Sequence, residues 1–136
     1  MFSEVETAIV DKLRSVLNEE DFPGGIIRAI GKEDITRKVP LKFPAIRVFF
    51  SEANPKERFD LGSRLITAEL TYQIAFFFKS LTDKNAEKIY PYLQKIIEAV
   101  TLLDTPKGQL MPGKVLLSKA STTLVYIINV HLETVL

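Results

Sequence analysis

Apolar and polar residues alternate almost without a break from Arg64 to Lys79. Ile66, Ala68, Leu70, Tyr72, Ile74, Phe76 and Phe78 take one set of positions and Thr67, Glu69, Thr71 and Gln73 the other, the period-two signature of a strand with one buried face. At about 3.3 Å per residue this stretch would run roughly 50 Å, so it is expected either to bend at a bulge or to project as a ribbon. In its second half Ala75 and Phe77 replace the polar residues, and that half is expected to be covered on both faces. The last segment, Thr123 to Leu136, repeats the pattern: Leu124, Tyr126, Ile128, Val130 and Leu132 alternate toward a core, while Val125 and Ile127 face the other way. Ala45 to Ser51 reads as a third strand and Val115 to Ala120 as a fourth. Ile26 to Ile30 reads as a short strand interrupted by Arg28.

Two stretches follow the helical period instead. Ser3 and Glu6 have the spacing of a capping box, and Phe2, Val5, Ile9, Leu13, Val16 and Leu17 recur on one face of a helix expected to stop near Asn18. A second helix, capped by Thr82 or Asp83, presents Ala86, Ile89, Tyr90, Leu93, Ile96, Ile97 and Val100. Pro91 is expected to kink or split it. Gly31 to Phe43, Glu52 to Gly62 and the Pro- and Gly-rich DTPKGQLMPGK segment read as loops, the first long enough to serve as an arm. The expectation is one α+β domain over residues 1–136, an antiparallel sheet with two helices packed on one face.

At 136 residues the chain can bury one substantial core, and its 46% apolar and 26% charged residues are ordinary for a globular protein. Eighteen basic residues against 17 acidic ones leave a formal charge of +1, without the basic surplus of a nucleic-acid-binding module. With no cysteine, disulfides, thiol nucleophiles and thiolate metal sites are excluded together. The acidic start MFSEVETAIV lacks the basic region of a secretory signal, and no run approaches the roughly 18–20 apolar residues of a membrane span, so a soluble protein made in a cytoplasm is expected.

Candidate chemistry is sparse. His131, the one histidine, lies on the face away from the core between Asn129 and Glu133; a single imidazole without a thiol cannot build most zinc sites, and a surface position on the sheet is the better reading. Gly31-Lys32 fails the phosphate-loop pattern at Ile26 and Glu33. Gly62-Ser63 lacks the second glycine of a nucleophile elbow. The acidic groups Glu19 to Asp21 and Glu33-Asp34 lack the spacing of a calcium loop. Phe49, Phe50, Phe76, Phe77 and Phe78 have no interleaved basic residues, so they read as core and interface and not as a base-stacking platform. What the pattern offers is a surface. An apolar patch of Ala75, Phe77, Val125 and Ile127 would be a liability on a free monomer, and rotational packing of identical subunits would bury it. The charged loops, with Arg37 and Lys38 in one and Lys56 and Arg58 in the other, would set the register of such contacts.

The order of elements carries more than any single residue. The capped helix, the FPAIRVFF strand entered through Pro44, the charged loop, RLITAELTYQIAFFF, the helix from Asp83 and the closing TTLVYIINVHLE strand together resemble the tail-terminator group of bacteriophage tail-completion proteins, the lambda-type minor tail proteins and their relatives in Mu-like prophages. The resemblance runs from Ser3 onward and rests on apolar patterning; Pro91 and the Gly31 to Phe43 loop depart from it. It implies a structural, non-enzymatic protein without cofactor or metal, assembled in the bacterial cytoplasm and carried in the virion neck. Such a protein forms a ring, commonly a hexamer, on the last ring of the tail tube, stops tail growth and faces the head–tail connector. Neither sequence-specific nucleic acid nor a membrane is an expected partner. A head–tail connector component or a bacterial α+β adaptor is the alternative.

Overall fold

A computed structural model describes residues 2–29, 42–60, 63–79, 83–120 and 123–135. Helix α1 (Phe2–Val16) and a single 3-10 turn (Glu19–Asp21) precede strands β1 (Ile26–Arg28), β2 (Ala45–Asp60) and β3 (Ser63–Phe78). Helix α2 (Asp83–Val100), a small hairpin of β4 (Asp104–Thr105) and β5 (Gly108–Gln109), and strands β6 (Met111–Ala120) and β7 (Thr123–Val135) follow. The main sheet has the order β1-β2-β3-β7-β6, with β3 at its centre as its alternation predicts. All neighbours are antiparallel except β1, which runs parallel to β2 with Ile26 opposite Ile46. The sequence pattern gives no sign of this parallel edge. It needs only the long connection between β1 and β2, since parallel neighbours require a crossover of a dozen or more residues.

Both helices contribute to one core on one face of the sheet. Val5, Ile9 and Leu13 of α1 and Ile89, Ile96 and Val100 of α2 are buried with Ile46, Val48, Leu70, Tyr72, Ile74, Phe76, Ile128, Val130 and Leu132. The strand contributors are all even-numbered, so the period-two pattern of the sequence becomes the two sides of the sheet. The fold is therefore a small α+β domain with both helices on one layer.

Four local expectations change. Glu52 to Asp60, expected within a loop, continues β2, and the hairpin stays paired from Ala45↔Phe77 to Asp60↔Ser63, with one register shift between Phe50 and Glu52. Pro55 is tolerated because no described strand pairs with the outer edge of β2 there. Met111 to Lys114, expected as loop, opens β6, and the segment before it forms the β4–β5 hairpin. Pro91 lies inside one helix from Asp83 to Val100 and does not divide it. Residues 30–41, which hold most of the Gly31 to Phe43 segment, lie outside the described residues.

The last correction concerns Glu6. Helix α1 already includes Phe2 and Ser3, and the Glu6 carboxylate is turned into the fold instead of capping the helix. Its Oε1 accepts from Arg28 Nη2 at 2.8 Å and Nε at 3.1 Å, and its Oε2 accepts from the backbone N–H of Phe50 at 2.8 Å. Phe50 stands at a β-bulge, where the pairing shifts from Phe50↔Tyr72 to Glu52↔Thr71. Among the described residues no strand continues β1 beyond Arg28 to receive that N–H, and the carboxylate takes the place of a ladder partner. One side chain thus ties α1, β1 and the bend of β2 together. The long hairpin carries its bulge here, and beyond it β2 and β3 continue as a ribbon, flanked by β7 as far as the Thr67↔Val135 pair and two-stranded past it among the described residues.

Tyr72 packs beside this tie. Its ring meets Phe50, its hydroxyl donates to the carbonyl of Phe2 at 3.3 Å, and burial, with the Glu6 charge second, pushes its pKa up to about 12. The folded phenol holds its proton more tightly than the unfolded one, so its contribution is complete below pH 10 and is lost as pH rises from 10 to 12. A shift of this size corresponds to roughly 2–3 kcal/mol. Urea midpoints measured from pH 9 to 12 should fall for the wild type and fall much less for Tyr72→Phe. Parallel curves for the two proteins would show that Tyr72 does not govern the alkaline loss.

Candidate assembly surface

The face of the sheet opposite the helices divides into an apolar and a polar half. Ala45, Ala75, Phe77 and Val125 form a second buried cluster, joined by the half-buried Phe43, Phe49 and Ile127. Strand register brings them together: Phe77 lies between Ala45 of β2 and Val125 of β7, and Ala75 between Arg47 and Ile127. The four residues singled out from the sequence are therefore neighbours. Their exposure is not as expected, because Phe77 is only 1% exposed and Ala75 fully buried within the single chain. A buried residue cannot offer a neighbour its surface, so within this cluster Ile127 and the rim residues Phe43 and Phe49 keep area for an outside contact.

The basic residues are elsewhere. Lys56 pairs across the ribbon with Thr67 and Arg58 with Leu65, and from Ala45 to Lys56 the strand travels roughly 35 Å. The structure does not bring Lys56 and the backbone of Arg58 to the apolar cluster. Arg37 and Lys38 lie outside the described residues.

Along β3 and β7 the polar half is laced by side chains. Gln73 Nε2 donates to Asn129 Oδ1 at 2.9 Å, and Asn129 Nδ2 donates to the carbonyl of Lys114 at 3.0 Å, which joins β3, β7 and β6. His131 Nδ1 is 3.0 Å from Thr71 Oγ1 and 3.7 Å from Glu69 Oε1. The other side of the ring is closed by Gly113, where a Cβ would come within 2.6 Å of His131 Nε2. Packed and partnered in this way, His131 serves the joint between β7 and the bulge of β6. Among the described residues no group of three or more His, Asp or Glu side chains could hold a metal ion.

At the entry to β2, Arg47 holds the Pro23 to Gly25 turn, its Nη2 donating to Gly24 O at 2.9 Å and its Nη1 to Gly25 O at 3.1 Å. Gly24 admits no side chain, since a Cβ would overlap the Lys42 carbonyl and Ala45. Nearby, a recess of about 360 Å³ is lined by Phe43, Pro44, Phe78, Ile89 and Tyr92, with Lys79, Lys88 and Asp21 also contributing to its wall. Burial raises the Tyr92 pKa, helped by the Asp21 carboxylate that its hydroxyl meets.

Exposed apolar side chains that no pattern singled out lie on β6. Val115, Leu116 and Leu117 are 37%, 55% and 49% exposed on a strand at the end of the sheet order. The run from Val115 to Ala120 was legible as a strand, but only the topology shows that it is an edge.

Neither a described protein family nor any curated protein matches the sequence. The fold does have a counterpart among solved structures. A chain described as part of the virion of a native gene transfer agent particle superposes with a TM-score of 0.59 at 9% sequence identity, over 98% of this chain and 96% of that one. The two chains share a fold.

Proposed function

We propose that this protein is a structural component of a phage-type tail, a ring-forming subunit that caps the tail tube, ends its polymerisation and offers the surface to which the head side joins. The observation that supports this reading is the fold shared, end to end in both chains, with a component of a gene transfer agent virion. The order of elements that resembles the tail-terminator group adds to it. Within this reading the ring is commonly hexameric, assembly takes place in the cytoplasm of the bacterial host, and the partners are further copies, the tube protein and the connector. Contacts between copies then fall on Ile127, Phe49 and the exposed ribbon residues Glu52 and Lys56, because Ala75, Phe77 and Val125 have no surface left to give.

Deleting the gene in the producing phage or prophage and measuring tails by electron microscopy tests the assignment. Over-long tubes of variable length that carry no heads are the expected result. Headless tails of normal length would move the protein to the connector, and normal tails joined to heads would remove it from the neck altogether.

A further inference from the structure

The sheet has three outer edges among the described residues, and two of them are defended. β1 is only three residues long, and the side chain of Arg14 in α1 covers it, donating from Nε to the carbonyl of Ile26 at 3.0 Å. On β2, Ile46 N–H bonds to Gly25 and Val48 C=O accepts from Ala29, so before the bulge the even-numbered residues direct their backbone groups outward. The bulge inverts this order, and beyond it Ala53, Pro55 and Glu57 point outward. The outward position at the middle of the ribbon is thus a proline without an N–H, flanked by Glu52, Lys56 and Glu57. Short strands, prolines and charges are the usual means of keeping a sheet edge from pairing.

β6 has no such defence over its central residues. Following the same alternation through β3 and β7, Leu116 and Ser118 bond to Ile127 and Val125, which leaves the N–H and C=O of Val115, Leu117 and Lys119 facing outward. Both surfaces of the strand carry exposed apolar side chains, Leu116 on one and Val115 and Leu117 on the other. The only charges in this segment are Lys114 and Lys119, both exposed.

We propose that the β6 edge is a docking strand that takes up an extended segment of another protein by strand addition, one with apolar residues at alternate positions and an acidic residue near each end. Main-chain bonds to Val115, Leu117 and Lys119 supply the ladder, and the exposed Val and Leu side chains take the alternate residues of the incoming strand. The charges select against a second copy of this chain. Pairing β6 with another β6 would bring four lysines onto one short ladder without an acid between them, whereas an acid-flanked strand neutralises both. Pairing β6 with the ribbon edge of another copy meets Pro55, which has no donor to give. The inference is independent of the tail assignment, because it concerns only which strand edge is open and what charge it prefers.

The test uses the full chain and two blocked eight-residue peptides. Both alternate Val and Thr; one carries two Glu residues five positions apart, the other two Lys residues in their place. Fluorescence anisotropy should show the Glu peptide binding at least about tenfold more tightly than the Lys peptide, and K114E/K119E should reverse that order. Leu117→Pro removes one outward N–H without costing β6 a bond to β7, so it should abolish binding while the folded signal in circular dichroism is kept. Equal affinity for the two peptides, or no binding of either to the folded wild type, would overturn the proposal. So would a wild-type dimer in sedimentation velocity that Leu117→Pro returns to monomer, since a second copy would then be the occupant.

Discussion

Glu6→Ala is expected to lower the unfolding free energy by roughly 3–5 kcal/mol, a large part of the 5–15 kcal/mol that holds a typical domain together. The substitution removes three hydrogen bonds at once. It strands the Arg28 guanidinium, only about one third exposed, and it leaves the Phe50 N–H without an acceptor at the bulge. Truncating one partner of a buried pair costs more than the pair contributes, because the remaining charge keeps its desolvation penalty. Replacing both partners separates the two effects. Glu6→Leu combined with Arg28→Met should recover part of the loss, although the Phe50 N–H stays unsatisfied. Urea midpoints for the single and double variants measure this directly, and a loss below about 1 kcal/mol for Glu6→Ala would show that water replaces the carboxylate freely.

The position of Glu6 also shows where the sequence stops being legible. Its spacing from Ser3 fits a capping box, and nothing local distinguishes that role from an inward turn toward Arg28, 22 residues on, and Phe50, 44 residues on. The central strand, both helices and the side of the sheet that meets them follow from periodicity, since burial of one face leaves a period-two or a 3.6-residue record. Loop and strand in Glu52 to Asp60 could not be told apart that way. The side chains of β2 from Glu52 to Glu57 are all exposed, so this stretch keeps no alternation, and Asn54-Pro55 there carries the composition of a turn. The apolar far face was legible as a cluster of Ala75, Phe77, Val125 and Ile127, but not its cover. Alternation assigns a residue to a face and cannot say whether its own chain or a neighbour closes that face. The β6 edge was hidden for a related reason: strand order is a long-range property, and the same run from Val115 to Ala120 would be ordinary in the middle of a sheet.

That distinction between face and cover decides what a substitution at Phe77 reports. In this fold Phe77→Ala removes an almost fully enclosed ring between Ala45 and Val125, and the expected cost is roughly 3–5 kcal/mol through lost burial and the cavity left behind. Phe77→Asp goes further, placing a carboxylate in the apolar cluster of Ala45, Ala75 and Val125, and should prevent accumulation of folded protein. A failed assembly with that variant would therefore reflect a subunit that does not fold. Leu116→Ser, at a side chain 55% exposed, should change stability by less than about 0.5 kcal/mol. Measuring soluble yield and urea midpoint for Phe77→Ala and Leu116→Ser side by side separates a core position from a surface one. If Phe77→Ala unfolds at the wild-type urea concentration and yet fails to assemble, Phe77 is an interface residue and the cover seen in the single chain is displaced when subunits meet.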